Sequence, residues 1–268
     1  MKIIANKNSL KSSSRIILMI LFFEYLIFIF SGVSFYSLCH YPYFNIGIDP
    51  AYWLFYFAGF PQYILSHIWL AVLCDILIIA FLLLLISNPF NNKAGAILFI
   101  LLFLFYISLS GCLGHKNFQT GFFIVMIPFI FKEDRNKKIA FESIRYFLLF
   151  YYLSASLLKL SNGGLFEIPH FSEVLQNQFL PYYTEGNQGW RTMLNVFLIN
   201  NHKLGFLLYF SSFVVEFSVV IGFFTKKYDQ YLFLILIVFH LFNWMLMDIA
   251  PIGQLSFISI LLLSKKIF

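Results

Sequence analysis

Charge is what this chain most lacks. Of its 268 residues, 11% are Asp, Glu, Lys or Arg and 60% are hydrophobic. A soluble domain carries roughly 25% charged residues. Too few charges are present to cover a water-exposed surface, and the mean hydropathy of +0.82 agrees. A soluble globular protein is therefore excluded. Cysteine is scarce too. Cys39, Cys74 and Cys112 fit no metal-ligand spacing, so no metal site is expected. Internal repeats, low-complexity tracts and a separate soluble domain are all missing. No cleavable signal peptide is expected. The first apolar run, from Ile16 to about Ser34, is longer than the roughly 7–15 residues of a signal-sequence core and contains Glu24. The net charge of +6 does not indicate nucleic acid, because the basic residues gather in short loops, which is a topology signal.

What is present is a series of long apolar runs. A bilayer core takes about 20 apolar residues per helix. Runs of this kind predict spans near 16–36, 67–87, 94–114, 117–131, 139–160, 204–224, 231–249 and 251–264. The fold class expected is all-α, a polytopic transmembrane helix bundle of about eight spans in one membrane domain, with its core over 16–264. Lys and Arg favour the cytoplasmic side. The N-terminal segment, the loops after the second, fourth and sixth spans, and the C-terminal segment hold thirteen of the 18 basic residues. Both termini are thus expected in the cytoplasm, in a cell (inner) membrane. The stretch 161–203 becomes an outer loop, with Trp190 and the Tyr182-Tyr183 pair suited to a re-entrant or interfacial helix. Cys39 and Cys112 both fall at the outer face, where an oxidising compartment permits a disulfide.

Lys159 closes the fifth apolar run, and an ammonium there is costly. Snorkelling to headgroups is its ordinary explanation. His115 falls at the outer turn between spans three and four. His240 falls in span seven, with Asn243 on the same helical face and Asp248 at the outer end. These residues are expected to share one pocket open to the non-cytoplasmic side. Inter-helix hydrogen bonding is the plain alternative for His240 and Asn243. Glu24, Asp75 and Glu216 lie inside spans one, two and six, where they are protonated or paired. Arg145 and Glu142, at i,i+3, read as a structural pair. If Lys159 works chemically, burial disfavours its charged form and a neutral amine accepts a proton. The two histidines then orient substrate or stabilise an oxyanion.

Three segments resemble the vitamin K-dependent gamma-carboxylase family and its bacterial relatives, the horizontally transferred transmembrane (HTTM) domain proteins. Gly114-His115-Lys116-Asn117-Phe118 is similar to the family's Asn-His-x-Tyr-Leu turn. The run from Tyr151 to Leu160 resembles its Tyr-x-x-Ala-Gly-x-x-Lys-Leu span end. The run from Phe239 to Ile249 resembles its Phe-His-x-x-Asn-x-x-Leu-Phe-x-Ile-Gly span, and Val215-Glu216-Phe217 precedes it as in the family. The resemblance implies catalytic roles for Lys159, His115 and His240. Lys159 would be the base that deprotonates a reduced, vitamin K-like quinone. Asn243, Asn117 and Glu216 are the substrate-binding candidates. The expected partners are the lipid bilayer, a quinol, and a small-molecule or peptide substrate, and the enzyme class would be a carboxylase-like lyase. Two other functions compete: a non-catalytic membrane scaffold or partner subunit, and a small-solute transporter using Glu24, Asp75 and Glu216 as a proton path.

Overall fold

The computed structural model describes residues 7–42, 53, 57–113, 120–184, 189–247 and 253–267. Every regular element among them is helical. In chain order they are α1 (Lys7–Phe30), α2 (Phe35–Leu38), α3 (Phe60–Ser66), α4 (Ile68–Ser87), α5 (Asn92–Leu113), α6 (Thr120–Ile124), α7 (Ile127–Ile130), α8 (Asp134–Ser161), α9 (His170–Thr184), α10 (Trp190–Asn200), α11 (His202–Ser218), α12 (Val220–Phe224), α13 (Asp229–Met247) and α14 (Leu255–Ile267). Among the described residues, five stretches are long and apolar enough to cross a membrane: Asn8–Leu38, Ile68–Ser87, Asn92–Cys112, His202–Phe224 and Asp229–Met247. Their outer faces carry large exposed apolar side chains, such as Trp69, Ile76 and Leu83 on α4. Water would not tolerate so continuous a patch, whereas hydrocarbon does. The arrangement is that of a membrane-embedded protein.

Where the sequence suggests one domain, packing makes two compact units. The first comprises residues 1–145 and 252–268, the second residues 146–251. α8 runs through the division. At 28 residues it is the longest helix among the described residues, but it carries Glu142, Arg145 and Lys159 and stands outside the five most apolar stretches.

In the first unit α1 packs on α14 and α4, and α4 packs on α5. Two buried carboxylates organise it. Asp75 on α4 accepts hydrogen bonds from Tyr25 Oη at 2.6 Å and from the backbone N–H groups of Phe35 and Tyr36, each at 3.0 Å. Those two N–H groups open α2. Glu24 on α1 accepts from the N–H groups of Gly253 at 3.1 Å and Ser256 at 3.0 Å, at the start of α14. The first N–H groups of a helix have no partner within it, and its N-terminus favours negative charge. Each acid therefore caps a helix distant in sequence. Arg15 donates to the carbonyls of Ile86 at 3.1 Å and Ser87 at 2.9 Å, at the C-terminal end of α4. Lys137 donates to Pro89 O at 3.1 Å and lies 4.2 Å from the Phe90 ring centre. Ser9 Oγ donates to Lys266 O. These bonds bring the starts of α1 and α8 and the ends of α4 and α14 to one end of the unit.

The expected span 117–131 is not one helix. Among its described residues it breaks into α6 and α7 around Val125 and Met126, with Pro128 at the start of the second piece. α7 lies tight on α5: a Cβ at Gly95 would overlap the Phe129 carbonyl. The expected Arg145–Glu142 pair forms at 3.6 Å. Cys39 and Cys112 carry free thiols, so the disulfide weighed above is not present; Cys112 Sγ lies 4.0 Å from Leu38 O instead.

The second unit holds the C-terminal part of α8, with α9 to α13. α9 and α10 pair around Phe171, Leu175, Phe179 and Leu198. α11 packs on both α9 and α13.

Candidate functional site

Lys159 sits in the last turn of α8, where the helix C-terminus favours a cation. Its ammonium does not turn to lipid. Nζ lies 2.8 Å from Glu216 Oε2 and donates to Ser212 Oγ at 2.8 Å. Glu216 and Ser212 are four residues apart on α11, so both face the same way. The ring centres of Tyr209 and Phe239 lie 5.4 Å and 5.7 Å from Nζ. The Lys159 side chain is 21% exposed and that of Glu216 7%. An ion pair with so little water is costly to break, because the surviving charge has no solvent to turn to.

The pair forms part of the wall of a cavity of about 680 Å³. That volume lies within the 300–1,000 Å³ typical of small-molecule sites. α13 supplies a long stripe to it, with Leu234, Val238, Phe242 and Met247 among the lining residues. Those residues span 13 positions, about 20 Å of helix at 1.5 Å per residue. α11 supplies the facing wall, and Phe171 and Val174 of α9 line it too. Lys159, Glu216, Ser211, Ser212, Tyr209 and Asn243 are its polar members. Leu234, Val238 and Phe242 line the cavity and are each more than half exposed, so the cavity is open to its surroundings along apolar side chains.

The site residues expected from sequence divide into three sets. Lys159, Glu216 and Asn243 meet at this cavity. His240, one turn from Asn243, bonds through Nε2 to Tyr152 Oη at 2.5 Å, and the rings pack edge to face at 5.8 Å. Its nearest described polar partner is thus a buried tyrosine on α8. His115 and Asn117 lie outside the described residues, as does Asp248. Sequence reasoning missed Ser212, Tyr209 and Tyr152. Tyr152 stands seven residues before Lys159, two helical turns along the same face, and that spacing was the available signal. Ser212 gave none, since a serine in an apolar helix most often bonds its own backbone, as Ser212 does to Tyr209 O at 2.7 Å.

Comparison with protein-family models, with curated proteins and with solved structures found no match to this chain.

Proposed function

We propose that this chain is a multi-pass membrane protein whose second unit binds an amphiphile and moves a proton from it, with Lys159 as the base. The observation that carries this reading is a Lys159–Glu216 ion pair set in the wall of a largely apolar, open cavity. A purely structural ion pair has no need of a cavity beside it. A ligand with a long apolar tail and a small hydrogen-bonding head matches the apolar stripe of α13 and the polar members near its middle.

A reduced quinone, the group the family resemblance implies, fits this donor set. Its ring hydroxyls would meet Lys159, Glu216 and Asn243, and its tail would lie along Leu234, Val238 and Phe242. A bound quinol would supply an acidic hydroxyl whose deprotonation leaves a ring anion able to react with oxygen. The chain's own part is proton handling. An ammonium has three N–H donors; Ser212 and Glu216 take two, which leaves the third direction for a ligand oxygen. Before it can act as a base, Lys159 hands a proton from Nζ to Glu216 Oε2 across 2.8 Å. The neutral amine then accepts the hydroxyl proton, so the net transfer is from ligand to Glu216. Whether a carboxylase-like reaction follows depends on a co-substrate.

For topology we propose eight crossings with both termini in the cytoplasm of a cell (inner) membrane. Support comes from the shared end of the first unit, where Arg15, Lys137 and Lys266 gather. We place the cavity at the non-cytoplasmic leaflet, the side that the alternation of basic loops along the sequence expects for Lys159.

The test is extraction of the protein purified from its native membrane, followed by mass spectrometry for isoprenoid quinones. Wild type is expected to retain one, and Lys159→Ala to lose it while still accumulating in the membrane. An extract with no more quinone than that of an unrelated membrane protein prepared alongside would remove the quinol reading. A second reading, a non-catalytic membrane subunit, is favoured by the His240–Tyr152 bond, which is a satisfied packing contact. It expects a stoichiometric partner to co-purify and His240→Ala to lower thermal stability without changing bound lipid. The transporter reading loses two of its three acids, since Glu24 and Asp75 are engaged as helix caps.

A further inference from the structure

α9 and α10 form a pair whose two outer faces are chemically opposite. On α9, among the residues whose side chains are described, His170 to Phe179, the exposed positions are Glu173, Gln176 and Asn177, one polar stripe at i, i+3 and i+4. On α10 they are Trp190, Met193, Val196 and Phe197, at i, i+3, i+6 and i+7, with Asn200 at the helix end. The four apolar side chains are 58%, 68%, 42% and 53% exposed. Arg191 and Thr192 are half-buried, and Asn195 is turned inward and is 0% exposed. α10 is therefore inside-out by the standard of a helix in water, while α9 is not. Between them lies an ordinary apolar seam of Phe171, Leu175, Phe179 and Leu198.

A pair surrounded by water would be polar on both backs. A pair crossing the bilayer would be apolar on both. One of each fits a boundary between the two media. Length agrees: the 11 residues of α10 reach about 16 Å, half of a roughly 30 Å hydrocarbon core. Both of its ends are marked for the headgroup level. At the N-terminal end the Arg191 guanidinium lies 5.5 Å from the Trp190 ring and 5.2 Å from that of Trp244. Trp and Arg are side chains that favour the membrane–water interface. At the C-terminal end stand Asn200, Asn201, His202 and Lys203, all exposed. Past them the exposed apolar face resumes on α11 with Leu204, Leu207 and Phe210, in a stretch long enough to cross a membrane. The outer face of α10 thus continues a lipid-facing surface. α9 is tied down independently: Gln178 Nε2 donates to Met247 O at 2.6 Å, at the last residue of α13.

We propose that α10 is an in-plane membrane helix. It lies in the headgroup–acyl boundary of one leaflet, with Trp190, Met193, Val196 and Phe197 among phospholipid acyl chains and α9 on its aqueous side. This inference is independent of the quinol reading, since it uses no residue of the Lys159 pair.

The experiment uses the full chain in phosphatidylcholine nanodiscs containing a phospholipid with a photoactivatable diazirine on its acyl chain. After irradiation and digestion, acyl adducts are expected on the 190–197 segment and not on 173–177. In parallel, Met193→Cys and Gln176→Cys are made in a chain with Cys39, Cys74 and Cys112 replaced by alanine. Gln176→Cys is expected to react at least about tenfold faster with a membrane-impermeant maleimide, because the reactive thiolate does not form in hydrocarbon. Equal rates for the two cysteines would overturn the proposal. So would protection of Met193→Cys without any acyl adduct on 190–197, which would mean that protein, not lipid, covers that face. If the cysteine-free chain does not fold, the adduct pattern on the unaltered chain decides alone.

Discussion

Lys159 and Glu216 are worth more to each other than either is alone. Lys159→Met leaves a carboxylate 7% exposed with no cation, and Glu216→Leu leaves an ammonium with only Ser212. Removing one partner of a buried pair costs about 3–5 kcal/mol, while replacing both by apolar groups is close to neutral. Thermal unfolding in detergent is therefore expected to show two strongly destabilised single variants and a double variant near wild type. Ligand retention separates function from packing: the double variant regains stability and still fails to hold the ligand. Lys137, outside the apolar spans, gives a pH prediction. Burial pushes its ammonium down to about 8 from the ordinary 10.5. The folded state then binds fewer protons than the unfolded state between those values, so stability rises with pH from about 8 to 10.5. Below about 8 the cost of burying the charge is fully present. Lys137→Met is expected to flatten that slope in melting temperature measured from pH 7 to 10. Lys159 was legible in the sequence as a cation at the end of an apolar run. Its partner was not, because nothing in a linear pattern says which of three intramembrane acids faces which helix. Glu216 was singled out as an intramembrane acid, protonated or paired, but without Lys159 as its partner.

Helices show the same division between what a run of residues specifies and what packing decides. The run 67–87 became Ile68–Ser87 because His67 and Asn88, both with non-helical backbone, bound an unbroken apolar stretch. The run 231–249 became Asp229–Met247 within its described residues for a similar reason, with an acidic residue in the first turn of the helix. The run 117–131 failed as one helix because Pro128 cannot donate a backbone hydrogen bond and clashes with the preceding turn. α8 starts at Asp134, five residues earlier than its apolar run, because hydropathy does not see a charged first turn that is still good helix. The pair α9 and α10 was legible as an outer loop with a re-entrant or interfacial helix; its two opposed faces needed the seam at Phe171 and Leu198 to set them. Packing also explains a residue that hydropathy ignores. Gly95 lets α5 lie against the Phe129 backbone, so Gly95→Leu must drive α7 away. Overpacking of this kind costs about 1–3 kcal/mol. The expected result is a lower melting temperature, with Ala96→Leu, a neighbouring substitution of similar size, as the control.

At the scale of the molecule, the first unit is discontinuous in sequence. It takes residues 1–145 and then 252–268, with the whole of the second unit threaded between. α14 is its late component, and α1 is the helix against which it packs most extensively. Ending the chain at Pro251 is expected to expose α1 to protease in detergent, at sites that the full chain protects. Glu24→Gln should have a smaller effect in the same direction, because the amide oxygen still accepts from Gly253 and Ser256 but without a charge for the helix dipole. Glu24 also has a history during synthesis. Its carboxylate leaves the ribosome some 230 residues before the N–H groups that hold it. Throughout that interval an acidic side chain sits in the first apolar helix with its native donors not yet made. A nascent chain in that state needs a temporary host for the proton or for the carboxylate, in the insertion machinery or at the water boundary, and only arrival of the final helix releases it.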